Sequence, residues 1–158
     1  IKNSKINDDL YVKLHQVKWL WDEKKQFQSC NPYLNFLDER KKMINEINSA
    51  KLIIQTFCGT GHLECLAANR PTVILFVNDI KLYNEKSKKY FEKFKKNGIL
   101  HTTPLSLFKF LTKMNSKDKI EHWWNNKKRQ ELLDKYRNDF VFLNKNKIED
   151  IKNIIVNE

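Results

Sequence analysis

Leu52-Ile53-Ile54-Gln55-Thr56-Phe57-Cys58-Gly59-Thr60-Gly61-His62-Leu63-Glu64-Cys65-Leu66-Ala67-Ala68-Asn69-Arg70-Pro71-Thr72-Val73-Ile74-Leu75-Phe76-Val77 is the stretch on which the reading of this chain turns. The apolar run Leu52 to Ile54 leads through a turn with two glycines into a helix-compatible segment, His62 to Ala68. Proline disfavours helical geometry in the residue before it, so Asn69-Arg70-Pro71 ends that helix. Thr72 to Val77 is then a continuous β-branched and aromatic run, typical of a strand buried on both faces. Two strands joined by one helix predict a parallel, right-handed crossover.

The alternation continues towards the C-terminus. Tyr83, Ser87, Tyr90, Phe91 and Phe94 form the inner stripe of a helix, and Asn97-Gly98 supplies the residue types that tolerate positive φ at its end. A short strand over Ile99 to His101 follows. Thr103 as N-cap and Pro104 at the first helical position open another helix, with Leu107, Phe108 and Leu111 inward. From Asp118 onward no strand pattern returns; Ile120, Trp123, Trp124, Leu132, Leu133, Tyr136 and Phe140, and later Ile148, Ile151 and Ile155, predict helices that pack back over the body.

Towards the N-terminus the pattern is less regular. Leu10, Val12 and Leu14 alternate with Tyr11, Lys13 and His15, the period of a half-buried strand. Residues 16–33, with Trp19, Trp21 and Phe27, read as an irregular connection ending at the turn signal Asn31-Pro32. Phe36, Met43, Ile44 and Ile47 fall on one side of a helical wheel and predict an amphipathic helix from Phe36 to Asn48. The fold class is therefore α/β, a Rossmann-like parallel sheet flanked by helices, and the expected organisation is a single domain over residues 1–158.

Thirty Lys and Arg against 19 Asp and Glu leave a formal charge of +11 on 158 residues. Such a balance favours anionic partners, and it also fits a compositional bias that simply solvates the surface. No apolar run has the length of a membrane span. Three cysteines without framework spacing point to a reducing compartment, the cytoplasm. The chain opens at Ile1 without an initiator Met, and is expected to be part of a longer polypeptide.

Chemistry concentrates between Gln55 and Glu64. A strand that ends in a glycine-containing turn and opens a helix presents free backbone N–H groups, and the helix dipole adds to their attraction for an anion. Open α/β sheets bind ligands at the carboxyl ends of their strands, where this turn and Asn78-Asp79 both fall. Thr60 offers a hydroxyl near the helix start. Glu64, one turn later, could accept a pair of hydrogen bonds from a ribose diol. The plainer alternative is a tight turn at Gly59 and Gly61 with Glu64 on a solvated helix face.

Gly59-Thr60-Gly61-His62-Leu63-Glu64-Cys65-Leu66-Ala67-Ala68-Asn69-Arg70-Pro71-Thr72 resembles the "GTT-x-LE-x-LA-x-N-x-PT" segment of bacterial surface-carbohydrate transferases of GT-B type. The likeness continues in order through Lys89-Tyr90-Phe91-Glu92, Gly98-Ile99-Leu100-His101, Thr103-Pro104 and Trp123-Trp124. The resemblance implies the C-terminal, donor-binding half of a glycosyltransferase in cell-surface polysaccharide or lipopolysaccharide biosynthesis. A nucleotide-sugar donor is then the substrate, no metal cofactor is expected, and an N-terminal domain would hold the saccharide or lipid-linked acceptor. It further implies work in the cytoplasm, at the inner face of the cytoplasmic membrane, with peripheral membrane association and no specific nucleic acid. Carried over by position, Thr60 and the amides around Gly59, Gly61 and His62 would contact donor phosphates, and Glu64 would hold the ribose. Gly61 replaces the family's second Thr, which removes a hydroxyl and permits closer backbone approach. Lys13 stands where the family has an Arg, so Lys13 and His15 join Asp79 as outlying candidates.

Other constellations compete. Cys58, His62 and Cys65 could supply part of a zinc site but lack a fourth ligand with recognisable spacing. His62-x-Glu64 lacks the downstream cysteine pair of the deaminases, and Gly59-Thr60-Gly61 lacks the lysine of a P-loop. Cys58 with His62 as thiolate and base conflicts with helical geometry. His101 reads as a strand-end residue, and Trp123 and Trp124 as core aromatics. At the level of function, the alternatives are a basic module that binds nucleic acid or an anionic membrane surface, and a polyol-phosphate transferase with a similar cleft.

Overall fold

The computed structural model describes residues 10–15, 22–77 and 83–142. They belong to two compact units, Ile1–Lys42 and Met43–Glu158.

In the first unit, strand β1 (Tyr11–Val12) pairs in parallel with β2 (Asn35–Phe36). Between them lies helix α1 (Glu23–Cys30), where the sequence suggested an irregular connection. Asp22 caps it by accepting from the Lys25 amide at 3.0 Å. None of its residues is buried, which is why no apolar stripe revealed it. The helix expected from Phe36 is also corrected here. Phe36 belongs to β2, and the Asp38 carboxylate accepts from the Arg40 amide at 3.0 Å. Aspartate used in this way offers the backbone a turn in place of a helix.

In the second unit, helix α2 (Met43–Ser49) keeps only the later part of that pattern, with Ile47 buried and Ile44 46% exposed. Strands β3 (Ile53–Gln55), β4 (Thr72–Leu75) and β5 (Leu100–His101) form a parallel sheet in the order β3-β4-β5. The central β4 is buried from Thr72 through Ile74, as its unbroken apolar run predicts. Helix α3 (Thr60–Ala67) links β3 to β4, and α4 (Glu85–Lys96) precedes β5. Then come α5 (Pro104–Lys113), α6 (Lys117–Trp124), α7 (Lys127–Tyr136) and a π-helical turn, Arg137–Val141. This is the expected α/β class, a Rossmann-like parallel sheet with helices around it.

Two helices end in the same way. Asn69 at φ +48° follows α3, with Asn69 N–H bonded to Leu66 O and Arg70 N–H to Cys65 O, both at 3.1 Å. Gly98 at φ +69° follows α4, with Gly98 N–H to Lys95 O at 3.2 Å and Ile99 N–H to Phe94 O at 2.9 Å. Both are paired terminal bonds around a left-handed residue, and they turn the chain straight into the next strand.

The core lies where α4, α6 and α7 meet the sheet: Val73, Ile74, Phe94, Leu100, Trp124 and Leu133 are all buried. The return of the C-terminal helices is fixed by polar contacts as well. Trp124 Nε1 donates to Asn69 O at 3.1 Å and lies 3.2 Å from Asn69 Oδ1, which also accepts from Arg137 Nη1 at 3.0 Å. Ile148, Ile151 and Ile155, like Trp19 and Trp21, lie outside the described residues.

Candidate functional site

The chain leaves β3 at the carboxyl edge of the sheet, passes Thr56 to Gly59, and enters α3. Gly59 is the N-cap and makes no side-chain cap bond. By contrast, α1, α4, α5, α6 and α7 are each capped by a side chain: Asp22, Asn84, Thr103, Ser116 and Asn126. A glycine leaves the first-turn amides of α3 without that internal acceptor, at the positive end of the helix dipole.

Within α3 the spacing sorts roles. Thr60 and Glu64 are both exposed and four residues apart, so they share a face about 6 Å apart along the axis. His62, Cys65 and Leu66 are buried on the opposite side. Gly61 sits close to Gln55, since a Cβ there would come 3.2 Å from Gln55 Oε1. Phe57, 64% exposed, lies with its ring over Gly59, where an added Cβ would be 2.7 Å from Cε1. Val77, just past β4, is 65% exposed. The edge of the sheet thus presents a helix mouth, a hydroxyl, a carboxylate and two apolar side chains.

His62 points inward. Its Nε2 is 3.0 Å from the Tyr136 hydroxyl, while Nδ1 is buried without a hydrogen-bond partner among the described residues. Burial lowers the His62 pKa, partly offset by the Gly59 backbone, so the folded state favours the neutral ring. Burial likewise raises Tyr136, with smaller contributions from Cys58, Tyr83 and Tyr90. The Cys58 thiol is pushed up to about 11 by burial, and Cys65, which accepts from Gln55 Nε2 at 3.3 Å, is also raised by burial. These groups therefore stay protonated thiols near neutral pH. Among the described residues no three His, Cys, Asp or Glu side chains are grouped as metal ligands.

The structure brings Gly59, Thr60, Gly61, His62 and Glu64 together on one turn and helix, with the His62 side chain directed to the interior. Lys13 and His15 belong to the first unit, where Lys13 Nζ donates to Asp38 O at 2.8 Å and Lys41 O at 2.9 Å. Asp79 lies outside the described residues. His101 is buried at the end of β5, with Nδ1 3.2 Å from Ser106 Oγ and its ring 5.1 Å from Phe110. Trp123 and Trp124 are buried core aromatics, as their flanking apolar pattern suggested.

Two features went unread in the sequence. Phe57 is an exposed aromatic at a helix mouth, and its signal was an aromatic inside a glycine turn. Asn69 anchors Trp124 and Arg137, and its signal was an Asn at a helix stop, where left-handed geometry is tolerated. A shallow depression of about 570 Å3 lies elsewhere, lined by residues that include His122, Trp123 and Arg129 but none from α3.

No helix among the described residues is long and apolar enough to cross a membrane. Neither curated proteins nor solved structures yield a match to this chain. One family does match, over residues 3–155, nearly the whole length, and it is described as the LIC12162 family transferase. An α/β chain built on a parallel sheet agrees with that description, and the protein belongs to the LIC12162 family of transferases.

Proposed function

We propose that this chain is the donor-binding half of a GT-B glycosyltransferase, one that builds bacterial cell-surface polysaccharide or lipopolysaccharide from a nucleotide sugar. The observation that carries the reading is the glycine-capped start of α3 at the carboxyl edge of β3, with Thr60 and Glu64 on its exposed face. In this reading the amides of Thr60, Gly61 and His62 and the Thr60 hydroxyl receive the donor phosphates. Glu64, one turn along, accepts from both ribose hydroxyls. The exposed ring of Phe57 offers an apolar face to the base or sugar.

Negative charge gathers on the departing nucleotide as the glycosidic bond breaks, and fixed helix-mouth dipoles stabilise that charge without reorganising. The donor needs no metal in this scheme. The acceptor is a saccharide or lipid-linked chain held by an N-terminal domain, and the catalytic base belongs there. The work takes place in the cytoplasm, at the inner face of the membrane.

The test is calorimetric titration of the chain with cytidine, uridine, guanosine and deoxythymidine diphosphates and their sugar conjugates. A preference for one base is expected, and Glu64→Ala should weaken that binding about tenfold, the loss of roughly 1.4 kcal/mol of charge-assisted hydrogen bonding. Equal affinity of Glu64→Ala and the parent would remove the ribose role. Binding that ignores the base and falls steeply with salt would replace the pocket with a general polyanion surface.

A further inference from the structure

The outer face of α5 carries exposed apolar side chains beside lysines. Leu107 is buried beneath it, yet Leu105 is 62% exposed, and Phe108, which the sequence pattern placed inward, is 46% exposed because it lies one residue round the helix from Leu107. Lys109, Thr112 and Lys113 are exposed beside them. Positions 105, 108, 109 and 112 recur at the spacing of one helical face, so the apolar pair and Lys109 form one stripe with Lys113 at its end. Neither lysine makes an ion pair among the described residues.

The surrounding sequence sharpens the contrast. Between Glu92 and Asp118 there are 25 residues with six lysines and no Asp or Glu. Exposed apolar side chains set beside two lysines on one helix face match a surface that is apolar just below a layer of negative charge. An anionic lipid bilayer has that layering. A nucleic acid would neutralise the lysines but leave Leu105 and Phe108 in water. A second copy of the chain would set lysine against lysine.

We propose that α5 seats this protein on anionic lipid, with Leu105 and Phe108 entering the boundary between headgroups and acyl chains while Lys109 and Lys113 stay at the level of the phosphates. Two apolar side chains bury little area, so the attachment is reversible and needs both contributions together. The proposal does not depend on the donor site.

The full chain is sedimented with vesicles of phosphatidylcholine alone, or of phosphatidylcholine and phosphatidylglycerol in equal parts. Binding is expected only to the anionic vesicles. Leu105→Ser/Phe108→Ser should lower partitioning about tenfold or more, and Lys109→Gln/Lys113→Gln about fivefold for each lysine. Leu107 is untouched in both variants, and circular dichroism checks that each remains folded. Unchanged partitioning of the Leu105→Ser/Phe108→Ser protein would overturn the proposal. So would a self-associating parent that this pair of changes makes monomeric while no vesicle binding is seen, or salt-sensitive binding to duplex DNA without vesicle binding.

Discussion

Asn69 gives the sharpest test of how the second unit is held together. Its backbone is left-handed at φ +48°, and its Oδ1 accepts from Arg137 Nη1 at 3.0 Å and lies 3.2 Å from Trp124 Nε1. Each donor has another acceptor: Arg137 Nη1 reaches Leu66 O at 3.3 Å, and Trp124 Nε1 reaches Asn69 O at 3.1 Å. Removing the side chain therefore weakens two bonds without orphaning a donor, a loss of about 0.5–1.5 kcal/mol each. Asn69→Gly keeps the left-handed geometry free of strain, so its net cost should be about 1.5 kcal/mol. Asn69→Ala removes the same bonds and leaves at positive φ a residue with neither the freedom of glycine nor the local side-chain hydrogen bonding of asparagine, for roughly 1 kcal/mol more than Asn69→Gly. Urea unfolding followed by tryptophan fluorescence reads both, since Trp123 and Trp124 report on this region. The coupling between Asn69→Gly and Arg137→Met in a double-mutant cycle should be about 1 kcal/mol. An Asn69→Ala protein as stable as Asn69→Gly, or an Asn69→Gly protein as stable as the parent, would refute the reasoning.

Gly98→Ala should cost about 1–2 kcal/mol through its φ of +69° alone, because an added Cβ would meet Phe110 and Trp123 only at an ordinary 3.6 Å; urea midpoints measure it, and a neutral change would count against strain. Tyr136→Phe deprives the buried His62 Nε2 of its partner and should destabilise by about 1–3 kcal/mol in the same assay. Burial lowers the pKa of both His62 and His101 in the folded state. The unfolded chain therefore takes up protons first as pH falls below about 6.5, and the stability present above that value is lost down to the folded pKa. The loss is at most about 1.4 kcal/mol per pH unit for each ring. His62→Gln should flatten that acid-side slope, and an unaltered slope would show that His62 is not neutral in the fold. For the thiols, iodoacetamide at pH 8 should modify exposed Cys30 well before Cys58, whose pKa of about 11 leaves roughly one thiolate in a thousand; peptide mass spectrometry reads the order.

The parts of the fold that were legible in the sequence have strong local causes. A continuous apolar run made β4 a central strand, and Asn97-Gly98 and Asn69-Arg70-Pro71 marked helix ends that the structure closes with left-handed residues. Thr103-Pro104 marked a helix start whose cap is an Oγ1 contact 3.2 Å from the Ser106 amide. The misreadings occurred where the local signal was weak or contested. Helix α1 buries nothing, so no periodicity betrayed it. The wheel drawn from Phe36 joined residues that a strand pairing and an aspartate turn pull apart.

For the candidate site the division is similar. By itself the sequence determined that a glycine turn opens a helix after a strand, because glycine, proline and apolar runs act on the backbone within a few residues. Only the tertiary structure decided which way each side chain of that helix faces. Thr60 and Glu64 reach solvent, whereas His62 turns in to a tyrosine 74 residues away. Helical spacing sets which residues share a face, but the side that becomes the interior depends on what packs there, here the returning Arg137 and Tyr136, and no local pattern around residue 60 encodes that.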